Sequence, residues 1–357
     1  MKVATIFSGI GAPEFAVKNI YGAGGFKTVF ACEIDKFARQ SYLANHEIDE
    51  ANFYQDINDL DAKPYLGKVD ILIGGSPCQD FSIAGLRQGI SGKRGSLIWQ
   101  YYRIISECMP KVFIYENVKG MLSDRGGRTL KEFLEVFRNL GYSCHAEVVN
   151  TKNYGIPQNR ERIYITGFLD NKAYYAFAYA PKQPLRLNLG DMLETNTDHK
   201  YVLSEKTIQG FKKKDNGFQG SFTVKNRKDT ANCIMSTAGS RRTDNFVCAN
   251  EIKIKVVGVL DIKGNDSNKR VYADSGLSPT LTTSQGGQRT PKILEKTQDF
   301  CIRKLTPREC FRLQGFPDSF KIVVSDTQAY KQAGNAMSVN VVEMIVRQVS
   351  SAVKGLV

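Results

Sequence analysis

The chain predicts an α/β fold built on a mostly parallel sheet, with a smaller and irregular β-rich domain beside it. In the first 170 residues, short apolar runs alternate with helix-like segments, the pattern of a parallel sheet covered by helices. From about residue 170 to 300 helical periodicity fades, and Gly, Ser, Thr, Asn and Lys dominate. Regular patterning returns over 335–353, where Val339, Val342, Ile345, Val346 and Val349 form one apolar stripe. Such a helix needs a sheet to pack on, so it is expected to fold back onto the first domain. The expected divisions are 1–170, 171–300 and a returning segment, 301–357.

Taken in order, residues 2–7 read as a strand, followed by the turn Ser8-Gly9-Ile10-Gly11 and a helix to about Ile20. Residues 28–32 form a second strand ending at Glu33-Ile34-Asp35, with a helix over 37–45. The run 69–73 is a short buried strand, 97–108 a helix, and 111–115 a strand ending at Glu116-Asn117-Val118. Apolar residues at 130, 133, 134, 137 and 140 predict a helix, and 142–149 and 162–168 alternate as further strands. In the second region a weak echo at an offset of 47 residues lays 231–247 over 278–294, matching Gly239 with Gly286, Arg242 with Arg289 and Thr243 with Thr290.

Composition narrows the class. Apolar residues make up 42% and charged residues 24%, ordinary for a soluble globular protein. No apolar run approaches a membrane span, and the N-terminal run is too short for a secretion signal. Eight cysteines, at 32, 78, 108, 144, 233, 248, 301 and 310, show neither a CxxC pair nor zinc-ligand spacing. No metal site and a reducing, cytoplasmic setting are therefore expected. The net charge of +13 is uneven: residues 1–205 carry 24 Lys/Arg against 23 Asp/Glu, whereas 206–290 carry 15 against 7. A basic excess so localised is the footprint of a polyanion binder.

The chemistry gathers at strand ends. Gly9 and Gly11 shape a turn that opens a helix, but the third glycine of a dinucleotide fingerprint is missing, and no phosphate-binding loop ends in Gly-Lys-Ser/Thr. Glu33 stands where an acid commonly holds ribose hydroxyls, and Asp56-Ile57 offers one polar and one apolar contact to an adenine edge. In Gly74-Gly-Ser-Pro-Cys-Gln79 the glycines allow backbone shapes closed to other residues, and Pro77 stiffens the corner that carries Cys78. None of His46, His145 and His199 lies in a Cys-His motif. A thiolate at Cys78 with a carboxyl group at Glu116 suits addition to a heterocycle, the acid engaging a ring nitrogen as sulfur adds to a ring carbon.

Phe7-Ser-Gly-Ile-Gly11, Gly74-Gly-Ser-Pro-Cys-Gln79, Glu116-Asn-Val118, Gln158-Asn-Arg-Glu-Arg162, Arg303 to Cys310 with Gly315-Phe-Pro317, and Gly334-Asn335 resemble, in order and spacing, the motifs of the cytosine-C5 DNA methyltransferases of bacterial and phage modification type. The resemblance runs from residue 3 to about 350. It implies an S-adenosylmethionine-dependent methyltransferase fold with a target-recognition domain. It further implies that Cys78 adds to C6 of a flipped cytosine and that Glu116 engages N3 and the exocyclic amine. Arg162 would then hold O2 and brace Glu116, with Arg160 supporting the loop. Phe7, Gly9, Gly11, Glu33, Ile34, Asp56, Ile57, Pro77, Leu97 and Asn335 match positions that enclose the methyl donor, S-adenosylmethionine.

The segment 82–96 resembles the loop that closes over DNA. Ser82, Arg270, Tyr272, Thr280 and Arg289 are the implied DNA contacts, Thr280-Leu281 matching the family's Thr-Leu pair. Where some relatives push a glutamine and a serine into the gap left by the flipped base, this chain has Ser267 or Asn268, and Ala84. Double-stranded DNA is the implied partner, any restriction endonuclease acts separately, and a monomer in a bacterial cell or phage-infected host is expected. The tRNA-directed branch carries a Cys-Phe-Thr signature, whereas here Cys310-Phe311-Arg312 lies in another motif. A catalytically silent DNA-binding relative need not keep Cys78, Glu116 and Arg162 together.

Overall fold

The computed structural model describes residues 1–77, 97–195, 197–204, 207, 224–225, 227–236, 244–250, 256–259, 270–273, 292–294 and 300–353. Its centre is a seven-stranded sheet. The first half is assembled from β1 (Lys2–Ile6), α1 (Ala12–Tyr21), β2 (Lys27–Cys32), α2 (Lys36–Asn45), β3 (Phe53–Tyr54), β4 (Ile71–Gly74), α3 (Leu97–Cys108) and β5 (Val112–Val118). It continues through α4 (Arg128–Asn139), β6 (Ser143–Asn150), β7 (Gln158–Asn159) and β8 (Glu161–Phe168). The strand order is β3-β2-β1-β4-β5-β8-β6, and only β8 runs against its neighbours. The sequence extends from β1 to one side through β2 and β3, then returns to the other side at β4. A crevice opens at that reversal, beyond the carboxyl ends of β1 and β4.

Alternation along the strands builds two cores. Val3, Ile71, Ile73, Val112 and Ile114 face one way, Ala4, Ile6, Leu72, Phe113 and Tyr115 the other. On the second face lie Ile98, Tyr101 and Ile104 of α3 and Phe133 and Phe137 of α4, as their helical spacing predicts. Tyr101, Phe113, Tyr115, Phe133 and Phe137 meet there in edge-on and tilted contacts.

The first face is covered by α1 and by parts of the returning chain, in which α5 (Asn171–Ala176), β9 (Val224–Lys225), β10 (Ala231–Asn232), β11 (Phe246–Asn250), β12 (Val256–Val259), β13 (Arg270–Ala273), β14 (Lys292–Leu294), β15 (Phe300–Lys304), α6 (Pro307–Leu313), α7 (Asp326–Asn335) and α8 (Val339–Ala352) follow in order. Helix α8 packs on α1, with Val339, Val342, Ile345, Val346 and Val349 all buried in that core, so the C-terminal stripe does fold back. Ala173, Phe177, Leu189 and Tyr201 join the same core, which thus runs past residue 170. The small strands form two three-stranded sheets, β15-β11-β9 and β12-β13-β14. Most of 278–294 lies outside the described residues, and with it the second half of the sequence echo.

Two expectations need correction. The helix expected from residue 335 begins at Val339; Asn335 instead ends α7, and Ala336 is extended. The break leaves carbonyls at the end of α7 free for other donors, and Arg160 takes two of them. The second concerns Gly74 and Gly75, neither of which has a positive φ. Their absent side chains are needed for contact: a Cβ on Gly74 would sit 2.5 Å from the Ile6 carbonyl oxygen, and one on Gly75 2.5 Å from that of Glu116.

Helix α6 was not expected, although Thr306-Pro-Arg-Glu309 spells its start. Thr306 and Glu309 cap each other reciprocally, with Pro at the first helical position. Glu309, fully buried, also takes a bidentate pair from Arg303 of β15, at 2.7 and 2.8 Å. This pair fixes the re-entry of the chain into the main core. Arg303→Met should therefore cost about 3–5 kcal/mol by leaving Glu309 buried and uncompensated, read as a lowered urea midpoint; an unchanged midpoint would refute that role.

Candidate active site

The crevice at the strand reversal is lined by Ile6–Ile10, Ala12, Pro13, Ile73–Gly75, Glu116 and Asn335–Met337, and spans about 400 Å³ with its mouth. Three of its walls are strand ends, and the fourth is the break after α7. At the end of β1 the chain turns sharply: Phe7, Gly9 and Gly11 all have positive φ, at 54, 57 and 83°. Phe7 thus holds a conformation costly for any residue with a side chain. Gly11 has no substitute on steric grounds either, since a Cβ there would lie 2.1 Å from Nε2 of His46. Burial lowers the His46 pKa to about 4, so the imidazole under the turn is neutral.

Glu33 braces the turn from the next strand. Its Oε2 accepts from Gly9 N and its Oε1 from Asp35 N, both at 2.8 Å. Burial raises the carboxyl pKa against these two bonds, and each oxygen keeps a lone pair for a ligand hydroxyl. Ile34 beside it is 67% exposed, an apolar surface open to an aromatic ring. The other isoleucine named for that contact differs, for the Ile57 side chain is packed into the core and its carbonyl accepts from Arg103. Asp56 caps its own turn by accepting from the backbone and side chain of Asn58. Leu97 starts α3 and is half-buried, Pro77 is exposed, and Asn335 is exposed at the end of α7.

Glu116 enters the crevice from β5. It forms ion pairs with Arg162 Nε at 3.3 Å and Arg160 Nη2 at 3.9 Å, yet its buried Oε1 has no well-aligned hydrogen bond. An acceptor so held, charged and short of a donor, is poised for a ligand N–H. Its neighbour Asn117, read from sequence only as part of a motif, plays a structural part. It donates to the Ser76 carbonyl at 3.1 Å and to Tyr115 Oη at 2.8 Å, while Ser76 and Tyr115 share a hydrogen bond. The approach to Cys78 is thereby tied to β5.

Arg160 is the centre of the arrangement, 3% exposed. It donates to the carbonyls of Gly334 (3.2 Å), Ala336 (3.0 Å) and Ile234 (3.4 Å). Gln158 works beside it, donating to the Leu313 carbonyl and accepting from Ile234 N. The segment after β10 therefore lies against the arginines, and nothing in the motifs predicted this placement of Cys233 and Ile234. Of the expected DNA contacts, Arg270 and Tyr272 lie on β13. Cys78, Ser82, Thr280 and Arg289 lie outside the described residues, as do the gap-filling candidates Ala84, Ser267 and Asn268.

A parallel sheet with its crevice at the reversal, a glycine turn braced by an acid, and a carboxylate facing two arginines define an α/β protein of the S-adenosylmethionine-dependent methyltransferase fold. In comparison with known proteins, the profile of the C-5 cytosine-specific DNA methylase family matches residues 1–351. The type II methyltransferase M.NlaX of Neisseria lactamica is 33% identical, over 99% of this chain and 98% of its own. The type II methyltransferase M.HpaII of Haemophilus parainfluenzae is 36% identical, over 95% and 86%. The solved structure of the Entamoeba histolytica methyltransferase EhMeth shares the fold, with a TM-score of 0.68 at 18% identity over 98% of both chains. The chain belongs to the C-5 cytosine-specific DNA methylase family. Among the described residues, no helix is long and apolar enough to cross a membrane.

The depressed His46 pKa carries a sign. The unfolded imidazole takes up a proton near pH 6.5, while the folded one resists until about pH 4. Stability should therefore fall as pH drops through that window. His46→Gln should flatten the thermal-midpoint profile between pH 6.5 and 5; parallel profiles would refute the assignment.

Proposed function

We propose that this protein transfers a methyl group from S-adenosylmethionine to C5 of a cytosine flipped out of a specific double-stranded DNA sequence. The observation that carries the reading is Glu116, braced by Arg162 and Arg160 at the crevice of the glycine turn. The donor fits this crevice. The turn has backbone in place of side chains at Gly9 and Gly11, Glu33 keeps acceptor capacity for ribose hydroxyls, and Ile34 offers an exposed apolar face. Phe7, Asp56, Pro77, Leu97 and Asn335 complete the proposed donor site; the Ile57 side chain, packed into the core, does not line it. When bound, the donor supplies the methyl group on a sulfonium centre.

The chain's own residues make C5 able to accept it. The Cys78 thiolate adds to C6 while a proton held between the Glu116 carboxyl group and N3 neutralises the charge that develops there and the exocyclic amine donates to the same carboxyl group, so the electrons of the C5–C6 double bond become available at C5 to take the methyl group. Arg162 holds O2 and, with Arg160, keeps Glu116 in place. Loss of the C5 proton and expulsion of the thiolate then restore the aromatic ring and the enzyme. C5 is out of reach within a duplex, and flipping the base costs a few kcal/mol, met by backbone contacts from the basic region and by Ser82, Arg270, Tyr272, Thr280 and Arg289. The proposed setting is DNA modification or protection in a bacterial cell or phage-infected host.

A duplex carrying 5-fluorocytosine at the target should trap a covalent complex in the presence of the donor, because fluorine blocks the final elimination. Cys78→Ser should abolish the complex, and Glu116→Gln should slow methylation by about 10²–10⁴-fold. If the wild type trapped no duplex under conditions where it binds DNA and donor, the mechanism would be excluded. The excess of 15 Lys/Arg over 7 Asp/Glu in 206–290 further predicts that log affinity falls linearly with log salt, by about 0.9 per phosphate neutralised. Salt-independent binding would contradict phosphate recognition by this region.

A further inference from the structure

We infer that Cys233 is a positioning residue for the arginine pair and sets the plane of the Arg162 guanidinium toward the target base. This rests on the roles proposed above for Glu116 and Arg162. The Cys233 sulfur lies 3.4 Å from Arg160 Nη1 and 3.8 Å from Arg162 Nη2, accepting from both, while its own S–H points to the Ile234 carbonyl at 3.6 Å. Arg162 otherwise donates from Nη1 to the Glu161 carbonyl at 2.8 Å and faces Glu116 with Nε at 3.3 Å. Each of its three nitrogens is thus engaged, with sulfur as the acceptor at Nη2. A guanidinium is a rigid fork, so a fixed partner at Nη2 stops it turning about its last flexible bonds.

The sulfur can act in this way because the backbone around it is pinned. Ala231 and Asn232 pair with Gln158 and Asn159, the strand that leads into both arginines. On the other side, Ile234 is buried, its N–H donates to Gln158 Oε1 at 2.8 Å, and its carbonyl accepts from Arg160. Met235 and Ser236 then lie against Gly334, where a Cβ would sit 2.1 Å from Ser236 N. Cys233 cannot drift without moving the chain that is paired with Gln158 and packed against Gly334. The 47-residue offset of the sequence echo pairs Cys233 with Thr280 and Ile234 with Leu281.

The consequence is kinetic. Small misplacements of a group that holds the reacting base cost rate well out of proportion to their size. Cys233→Val keeps the shape and removes the acceptor, whereas Cys233→Ser keeps an acceptor. In single-turnover methylation at saturating DNA, Cys233→Val should be slowed roughly tenfold or more, with half-saturation by S-adenosylmethionine unchanged, and Cys233→Ser should recover most of the wild-type rate. Cys233→Ala provides the same comparison should the valine variant not fold. Valine and alanine variants at the wild-type rate, or a serine variant as slow as they are, would overturn the inference while leaving the proposed function intact. A wild type that makes no 5-methylcytosine would overturn both.

Discussion

One buried cation, Arg160, holds together parts of the chain that sequence keeps far apart. A guanidinium out of water demands partners, and a carboxylate alone does not satisfy its several donors. Arg160 finds them in carbonyls at the broken end of α7, in the Ile234 carbonyl and in the charge of Glu116. These come from the C-terminal return, the start of the small strands and the central sheet. The break between α7 and α8 serves this demand, because carbonyls inside a continuous helix would already be bonded.

Close backbone approach is the second constraint. Gly74 lets β4 lie against the carbonyl of Ile6, Gly75 lets the corner lie against Glu116, Gly334 lets Ser236 lie against α7, and Gly11 makes room for His46. Each contact brings one strand end or loop up to the next, so the crevice is walled by backbone where a methyl donor would lie. The strain at Phe7 fits the same design, since residues in unfavourable conformations persist where surrounding packing over-determines them.

Much of this was legible in the residues. The apolar stripes of α3, α4 and α8 and the strand runs of the sheet lie where their spacing put them, because burying one face of a helix or strand is a local property of sequence. The start of α6 was equally legible, since Thr306 and Glu309 are a capping box, but a seven-residue helix carries too little periodicity to stand out without it. The glycines of the Cys78 corner could be recognised as necessary but not explained. Conformational freedom was the expected reason, and contact with Ile6 and Glu116 is the actual one; only the neighbouring strands reveal it.

By itself the sequence determined the α/β class, the order of the main sheet's elements and the chemical types at the site: a thiol, a carboxylate and two arginines, with a braced glycine turn. These depend on patterns within a few residues or on motifs in order. Tertiary structure decided which of them meet. It placed Glu116 within reach of Arg162, split the last helix to supply Arg160 with carbonyls, turned Ile57 inward and Ile34 outward, and laid Cys233 on both guanidiniums. The reason is physical: a buried charge selects partners by distance in space, and contacts between residues from 44 to 176 positions apart leave no periodic trace along the chain.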